Sequence, residues 1–325
     1  MNTLKLPVAK WLSRALLVLL LLLGLGVALT WAPDQPVSAL SPRWAQPPSQ
    51  FVSVAGLQVH LRDEGPTAPS PAGGEAPLPI VLIHGTSSSL HTWDGWTEVL
   101  KRERRVIRFD LPGFGLTGPN ENHDYSLDAY VRFVIAVLDS LGVKRVIIGG
   151  NSLGGFVSWA TAYAHPDRVE RLILVDSSGY PPKPQSMPIG FRIARVPVLN
   201  RLVRNVLPRH IIESSLKNVY GDPSKVTPEL IDRYRDMTLR AGNRIAIVHR
   251  FRQGYTGNPE HIRSLRQPTL ILWGAQDRLV PPEYAHTFAR DIPGAKLVMF
   301  EGLGHVPQEE DPGATVATVQ AFLAK

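Results

Sequence analysis

The sequence predicts an α/β protein built around a mostly parallel β-sheet, and three observations support this fold class. From residue 80 onward, short segments rich in valine, isoleucine and leucine alternate with longer helical patterns. The short segments show little alternation of polar and apolar residues, as expected for strands with helices on both faces. The 325 residues are 44% hydrophobic and 19% charged, which is a globular composition with room for one α/β domain and an insertion.

Each element follows from its local pattern. Strands are predicted at residues 80–83, 105–109, 145–148, 171–175, 269–273 and 296–300. Helices are predicted between them at residues 127–141, 153–165, 282–291 and 312–324. Upstream of the first of these strands, residues 51–62 alternate around Gly56, which predicts a hairpin. The segment 66–79 is rich in proline, glycine and alanine and predicts a flexible loop.

Residues 180–266 separate two strands by far more than a crossover helix needs, so we expect an inserted helical cap there. Within residues 180–252, 14 lysines and arginines stand against 5 acidic residues, while the whole chain carries a net charge of +7. Such an excess is typical of a solvated face, and an anionic membrane surface is the alternative partner. Apolar residues at helical spacing predict one cap helix, namely Val198, Leu199, Leu202, Val203 and Val206.

The N-terminal segment, residues 1–32, predicts a transmembrane helix. Basic residues precede an uncharged run at 15–32 that would span roughly 27 Å as a helix, and Trp11 and Trp31 lie near its ends. We expect an uncleaved signal anchor with its N-terminus in the cytoplasm and the following domain on the extracytoplasmic side. Secretion after cleavage of a signal peptide is the alternative. Residues 33–50, rich in proline, serine and alanine, predict a linker rather than a packed element.

A Gly-Asn-Ser-Leu-Gly sequence at residues 150–154 lies between a predicted strand and a predicted helix. This is the context of a nucleophile elbow, in which a tight turn exposes a serine hydroxyl at the carboxyl end of the sheet. Larger residues two positions before and after the serine would clash, which explains Gly150 and Gly154. Ser152 is therefore the candidate nucleophile, and an ordinary helix-capping serine is the alternative. The chain has no cysteine, which excludes a thiol nucleophile.

A serine nucleophile requires a histidine base that is oriented by a carboxylate. Asp277 follows the strand predicted at 269–273, and His305 follows the strand predicted at 296–300. Both therefore belong to loops at the carboxyl ends of parallel strands, where open α/β sheets place their sites. Asp176, which follows the strand at 171–175, is the alternative acid.

The backbone amides of Leu153 and Thr86 are the candidate oxyanion donors, because one follows the nucleophile and the other lies in the loop after the strand at 80–83. We expect His84 to support this loop rather than to take part in chemistry. The Gly-x-Gly-x-x-Gly match at residues 113–118 is not followed by a helical pattern, so it does not predict a dinucleotide site. No metal-ligand motif occurs in the sequence, and no cofactor is expected.

Together these motifs resemble the α/β-hydrolase superfamily over residues 51–325. The sequences that carry the resemblance, in chain order, are His-Gly at 84–85, Asp-Leu-Pro-Gly-Phe-Gly at 110–115, Gly-Asn-Ser-Leu-Gly-Gly at 150–155, Asp277 and Gly-His at 304–305. The resemblance implies an eight-stranded, mostly parallel sheet formed by residues 51–179 and 267–325. It also implies that the cap, residues 180–266, is inserted after the sixth strand.

The residues around Ser152 resemble two branches of this superfamily, bacterial lipases or esterases and the C–C bond hydrolases of meta-cleavage products. The second branch usually carries more glycine after His-Gly than this chain, which has Thr-Ser-Ser-Ser at 86–89. A serine at the elbow also differs from the aspartate of haloalkane dehalogenases and epoxide hydrolases. We therefore expect a carboxylesterase or lipase-like serine hydrolase that forms an acyl-enzyme with a small or lipid-like ester. The alternatives are a C–C bond hydrolase and a non-catalytic, membrane-tethered relative. A nucleic-acid partner is not expected, since no reading motif accompanies the positive charge.

Overall fold

The computed structural model describes residues 5–67, 77–196 and 205–324, and its centre is one eight-stranded sheet. The strands are β1 (Gln50–Val54), β2 (Leu57–Glu64), β3 (Ile80–Ile83), β4 (Val106–Phe109), β5 (Val146–Asn151), β6 (Val169–Val175), β7 (Thr269–Gly274) and β8 (Lys296–Phe300). Their order in the sheet is β1-β2-β4-β3-β5-β6-β7-β8. Strands β3 to β8 are parallel, whereas β2 pairs antiparallel with both β1 and β4. The predicted eight-stranded, mostly parallel sheet is confirmed.

Helices cover both faces of the sheet, which explains why its central strands are apolar throughout. The described helices outside the insertion are α1 (Lys5–Leu29), α2 (Val37–Trp44), α3 (Asp94–Leu100), α4 (Leu127–Ser140), α5 (Leu153–Ala164), α11 (Glu283–Asp291), α12 (Pro307–Glu310) and α13 (Pro312–Leu323). Helices α4, α5 and α11 pack on one face, and α3 and α13 pack on the other. Strand β5 extends three residues beyond the predicted end at residue 148. The prediction missed these residues because their sequence, Gly-Gly-Asn, has low strand propensity.

Between β6 and β7 the chain forms helices α6 (Ile189–Arg195), α7 (Arg209–Val219), α8 (Pro228–Leu239), α9 (Asn243–Gln253) and α10 (Pro259–Arg263). We refer to α6 to α9 as the cap helices. They contact one another in the pairs α6 with α7, α6 with α9, α7 with α8, and α8 with α9. Of the apolar stripe predicted in this segment, Val206 is described, and Val198, Leu199, Leu202 and Val203 lie outside the described residues. Most of the predicted loop at 66–79 also lies outside them.

Helix α1 is exposed along its apolar length. Residues Lys10–Leu29 have a mean hydropathy of 2.4 and are long and apolar enough to cross a membrane. A signal sequence near the N-terminus would pass the same test, so length and composition do not by themselves separate an anchor from a signal.

The segment that follows α1 is packed, and the prediction of an unpacked linker at residues 33–50 was wrong. Helix α2 forms there and buries Leu40 and Trp44 against Leu116 and Met237. The Trp44 Nε1–H also donates to Asp236 Oδ2 at 2.9 Å. The prediction rested on the proline-rich composition of the segment. It gave no weight to these two apolar residues, which lie four positions apart on one side of a short helix.

We call residues 30–46 the strap, because they tie α1 to the cap helices. The amide of Ala32 donates to the Asn205 carbonyl at 2.8 Å, and the amide of Leu207 donates to the Thr30 carbonyl at 3.2 Å. Farther along, the Arg244 Nε–H donates to Asp34 Oδ1 at 3.0 Å. Backbone bonds and a charged pair thus join the strap to the cap.

Candidate active site

Ser152 occupies the turn between β5 and α5. Its φ of 55° and ψ of −114° are sparsely populated for a residue with a side chain. A Cβ at Gly150 would overlap the backbone of Gly154, and a Cβ at Gly154 would overlap the carbonyl of Ile83. The Ser152 side chain makes no capping hydrogen bond to α5, so the alternative of a simple helix-capping serine finds no support.

Asp277 and His305 lie in the loops after β7 and β8 and are hydrogen-bonded to each other. The His305 Nδ1 and Asp277 Oδ2 atoms are 2.7 Å apart, and both side chains are buried. The other Asp277 oxygen, Oδ1, accepts from the amides of Leu279 at 2.7 Å and Val280 at 3.0 Å. These amides hold the Asp277 carboxylate in place. The carboxylate in turn orients the His305 ring and favours the tautomer that carries its proton on Nδ1.

The backbone of His305 is held from two sides. Its amide donates to the Val219 carbonyl at 2.7 Å, and its carbonyl accepts from Asn151 Nδ2 at 2.9 Å. The remaining ring atom, Nε2, is buried and has no hydrogen-bond partner among the described residues. His305 and Ser152 line the same cavity.

Asp176, the alternative acid, makes no hydrogen bond to His305 in the described structure. Its Oδ1 accepts from the Gly274 amide at 3.0 Å. Complete burial raises the pKa of Asp176 well above its ordinary value, and the negative charge of Asp277 raises it further. Asp277 is therefore the carboxylate that pairs with His305.

The loop after β3 lies against the nucleophile turn. A Cβ at Gly85 would approach Asn151 Oδ1 to 2.9 Å and Ser152 Cβ to 3.2 Å. Thr86 and Leu153 both line the cavity beside Ser152. Leu153 is also the first residue of α5, so its amide has no partner within the helix. The structure thus brings the two candidate oxyanion donors to the same cavity as the serine.

His84 supports this loop, as its sequence context predicts. Its Nε2 accepts from the Leu111 amide at 3.0 Å, and its Nδ1 lies 2.7 Å from the Gly85 carbonyl. Burial lowers the pKa of His84. Both ring nitrogens are engaged with backbone groups, which leaves neither for a substrate.

The glycine-rich match at residues 113–118 forms turns, and the next helix begins only at Leu127. The turn is organised by Asp110, whose Oδ2 accepts from the Leu116 amide at 2.7 Å and lies 2.7 Å from His60 Nδ1. This geometry differs from that of a dinucleotide fingerprint, in which the glycines lead directly into a helix.

The cavity at Ser152 has a volume of about 900 Å³ and lies between the sheet and the cap helices. Its walls are mainly apolar and include Phe156, Ile193, Leu207, Ile211, Leu216 and Phe251. This volume suits a ligand of drug or lipid-chain size, and apolar walls favour an extended hydrocarbon.

Two residues that support the site had no signal in the sequence. Glu310 accepts from the Gly304 amide at 2.7 Å and from the Gly221 amide at 2.8 Å, so it joins the His305 loop to the cap. Tyr234 donates to Glu309 at 3.0 Å and lies 3.2 Å from the Ser88 hydroxyl at the cavity wall. Because most of these partners are 75 or more residues apart in sequence, local patterns could not identify them.

Known proteins with related sequences include hydrolases of several kinds. A 2-hydroxy-6-oxo-2,4-heptadienoate hydrolase from Pseudomonas putida F1 is 32% identical over 285 residues, which are 85% of this chain and 96% of that protein. The crystal structure of a bacterial membrane phospholipase A is similar with a TM-score of 0.70 and 26% identity, over 100% of this chain and 98% of that one. An esterase from Thermogutta terrifontis is similar with a TM-score of 0.68 and 26% identity, over 85% and 97% of the two chains.

The relatives thus share a fold and a general class of reaction, although their substrates differ. The family model described as alpha/beta hydrolase fold matches residues 79–312, which include the nucleophile turn and the loops of Asp277 and His305. The chain therefore belongs to the α/β-hydrolase fold family.

Proposed function

We propose that this chain is a serine hydrolase that cleaves a carboxylic ester of a lipid-like substrate through an acyl-enzyme. The observation that carries the proposal is the shared cavity: Ser152 and His305 both line a large, mainly apolar space, and His305 Nε2 has no hydrogen-bond partner among the described residues. An apolar acyl chain fits such walls, and a base beside a serine supplies the nucleophile.

The proposed reaction begins when His305 Nε2 takes the proton of the Ser152 hydroxyl as Oγ attacks the ester carbonyl carbon. The carbonyl oxygen becomes an oxyanion, which the amides of Leu153 and Thr86 stabilise. When the tetrahedral intermediate collapses, protonated His305 gives its proton to the leaving alcohol. Water then attacks the acyl-enzyme by the same route and releases the acid. Asp277 orients the imidazole and stabilises its positive charge throughout.

We further propose that α1 anchors the enzyme in a membrane with its N-terminus in the cytoplasm and the hydrolase domain outside. Support comes from the length and hydropathy of Lys10–Leu29, and from the similarity to a membrane phospholipase A, which extends over the whole chain. The cap would lie near the bilayer, because the strap connects it directly to α1. Sequencing the N-terminus of the mature protein tests the anchor, and a start beyond Thr30 would show cleavage.

The test of the nucleophile is Ser152→Ala. Turnover of a short p-nitrophenyl ester should fall by about 10⁶, as for loss of the nucleophile in a comparable triad. The variant should also lose labelling by a fluorophosphonate probe, which reacts with activated serines. Unchanged hydrolysis would refute the assignment, and a Ser158→Ala control, on the same helix but bonded to the Gly154 carbonyl, should keep both activities.

Hydrolysis of a C–C bond is the second candidate, because a relative of 32% identity is named a 2-hydroxy-6-oxo-2,4-heptadienoate hydrolase and a similar solved structure of 26% identity is that of a meta-cleavage product hydrolase. A vinylogous diketone of the meta-cleavage type separates the two functions. We expect the chain to hydrolyse esters, graded by acyl length, much faster than this diketone. The opposite preference would favour the second candidate. A non-catalytic role would require that no ester and no probe react at Ser152.

A further inference from the structure

A second carboxyl group, that of Asp176, lies beside the Asp277–His305 pair and has no part in the proposed mechanism. Asp176 follows β6, is completely buried, and adopts a φ of 43°. Its Oδ1 accepts one hydrogen bond, from the Gly274 amide. Its Oδ2 is buried and has no partner among the described residues. A buried carboxyl oxygen without a partner is costly, so its protonation state needs an explanation.

The hydrogen bonds around the two carboxyl groups decide which one is ionised. One polar atom from each of Asp176, Asp277 and His305 lies within 4.8 Å of the other two. Two buried carboxylates at this separation repel each other strongly, which favours one shared proton. Asp277 receives two backbone amides and the His305 ring, whereas Asp176 receives one amide. The negative charge is therefore better stabilised on Asp277, which favours the shared proton on Asp176.

We propose that Asp176 is a positioning residue that stays protonated at neutral pH and donates its Oδ2–H to the Asp277 carboxylate. The donated bond turns an unpartnered oxygen into a satisfied one and holds Asp277 in its orientation toward His305. This inference rests on the proposed function of Asp277 and His305, and it adds a fourth donor to the triad acid.

Most of the groups around Asp176 raise the pKa of its carboxyl. Burial raises the pKa of the Asp176 carboxyl most, followed by the charge of Asp277, and the charge of Glu310 adds to both. The Gly274 amide opposes them, since it stabilises the ionised form. His305 is the basic group of the cluster, and its Nδ1 is already bonded to Asp277. A neutral Asp176 is the state that this environment favours.

The consequence for His305 follows from charge. A hydrogen bond donated to the Asp277 carboxylate delocalises the negative charge of that carboxylate. The electrostatic attraction between Asp277 and a protonated His305 imidazole is then weaker. Removing that donor should make Asp277 a stronger partner for the imidazolium. The acid limb of the pH–activity profile should therefore move to higher pH when Asp176 cannot donate.

Two variants in the full-length protein test this role. Asp176→Asn keeps a neutral donor of the same shape, so kcat/KM for a short p-nitrophenyl ester should stay within about threefold of the parent. Asp176→Ala removes the donor, so kcat/KM should fall about 10- to 100-fold, by analogy with other groups that orient a catalytic ligand. The acid limb of the pH profile should move to higher pH in Ala only. An Asn variant as impaired as Asp277→Asn would show that Asp176 acts as an anion and would overturn the proposal.

Infrared spectroscopy gives a readout that does not depend on turnover or on the Ala variant folding. The difference spectrum of the parent minus Asp176→Asn at neutral pH should contain the carbonyl stretch of a protonated carboxylic acid. A spectrum that shows only the bands of an ionised carboxylate would exclude a neutral Asp176. Failure of the proposed function would appear separately, as unchanged ester hydrolysis in Ser152→Ala with the infrared band still present.

Discussion

At the scale of single residues, Asp110 joins the loops on which the site is built. It accepts from the amides of Leu90 and Leu116, both at 2.7 Å, and bonds to His60. Burial alone would raise the pKa of Asp110, but the charge and hydrogen bond of His60, with smaller contributions from His84 and His91, lower it to about 2. The lowered pKa is worth about 2–3 kcal/mol of folding free energy.

The stabilising effect of this carboxylate is present above pH about 4 and is lost as the pH falls through about 2. Asp110→Asn places an amide nitrogen against one of the two backbone amides and leaves His60 without a charged partner. We expect a loss of about 3–5 kcal/mol at pH 7, measured by denaturant unfolding, and a smaller difference from the parent near pH 2. As a control, Asp167→Asn, at an exposed position, should leave the free energy of unfolding unchanged at both pH values. A difference that does not depend on pH would contradict the role given to the charge.

The residues of the candidate site were the most predictable part of the molecule. Ser152, Asp277 and His305 each follow a parallel strand, and the topology of such sheets brings the strand ends together whatever the intervening sequence. The sequence favoured Asp277 as the partner of His305 but left Asp176 open as the alternative, because both acids follow suitable strands. That choice depends on which carboxylate the backbone amides surround, and amide directions are not written in a sequence pattern.

At the scale of elements, the strap is the segment for which composition gave the wrong prediction, an unpacked linker. Helix α2 buries Trp44, and Asp34 pairs with Arg244, whose side chain is 4% exposed. Removing the strap would expose an apolar surface of the cap and leave a buried guanidinium without its carboxylate. The strap is thus part of the folded domain, although its sequence is typical of a linker.

Two truncations separate the strap from the apolar helix that precedes it. A chain of residues 30–325 retains the strap, so it should unfold cooperatively and hydrolyse a short soluble ester like the full-length enzyme. A chain of residues 47–325 loses it and should be less stable by at least the 3–5 kcal/mol typical of deleting one buried tryptophan side chain. Thermal unfolding of both chains makes the comparison. Equal melting temperatures would show that the strap contributes nothing to the fold.

At the scale of the whole molecule, positive charge is concentrated on the insertion. Arg192, Arg195 and Arg252 are exposed and make no ion pair with a carboxylate of the described residues. They belong to α6 and α9, on the part of the molecule that the strap joins to α1. If α1 lies in a bilayer, these side chains are placed to contact anionic headgroups.

Vesicle binding by the chain of residues 30–325 tests this arrangement. Binding should require anionic lipid and weaken as salt is raised, because exposed charges are screened over about 10 Å at 0.1 M salt. Replacing Arg192, Arg195 and Arg252 together by glutamine should weaken binding about 100-fold, at about 1 kcal/mol for each residue. Arg132→Gln, an exposed change on the core helix α4, is the matched control. Equal binding to neutral vesicles would remove the electrostatic explanation.

The hydrogen bonds between the strap and residues 205–207 also connect α1 mechanically to the wall of the cavity. Leu207 is a wall residue of the cavity, and its amide is bonded to Thr30, one residue beyond α1. A tilt or pull on α1 would therefore act directly on this wall of the cavity, and it would reach the sheet through the contacts of Trp44 with His91 and Leu116 and through the chain that leads into β1.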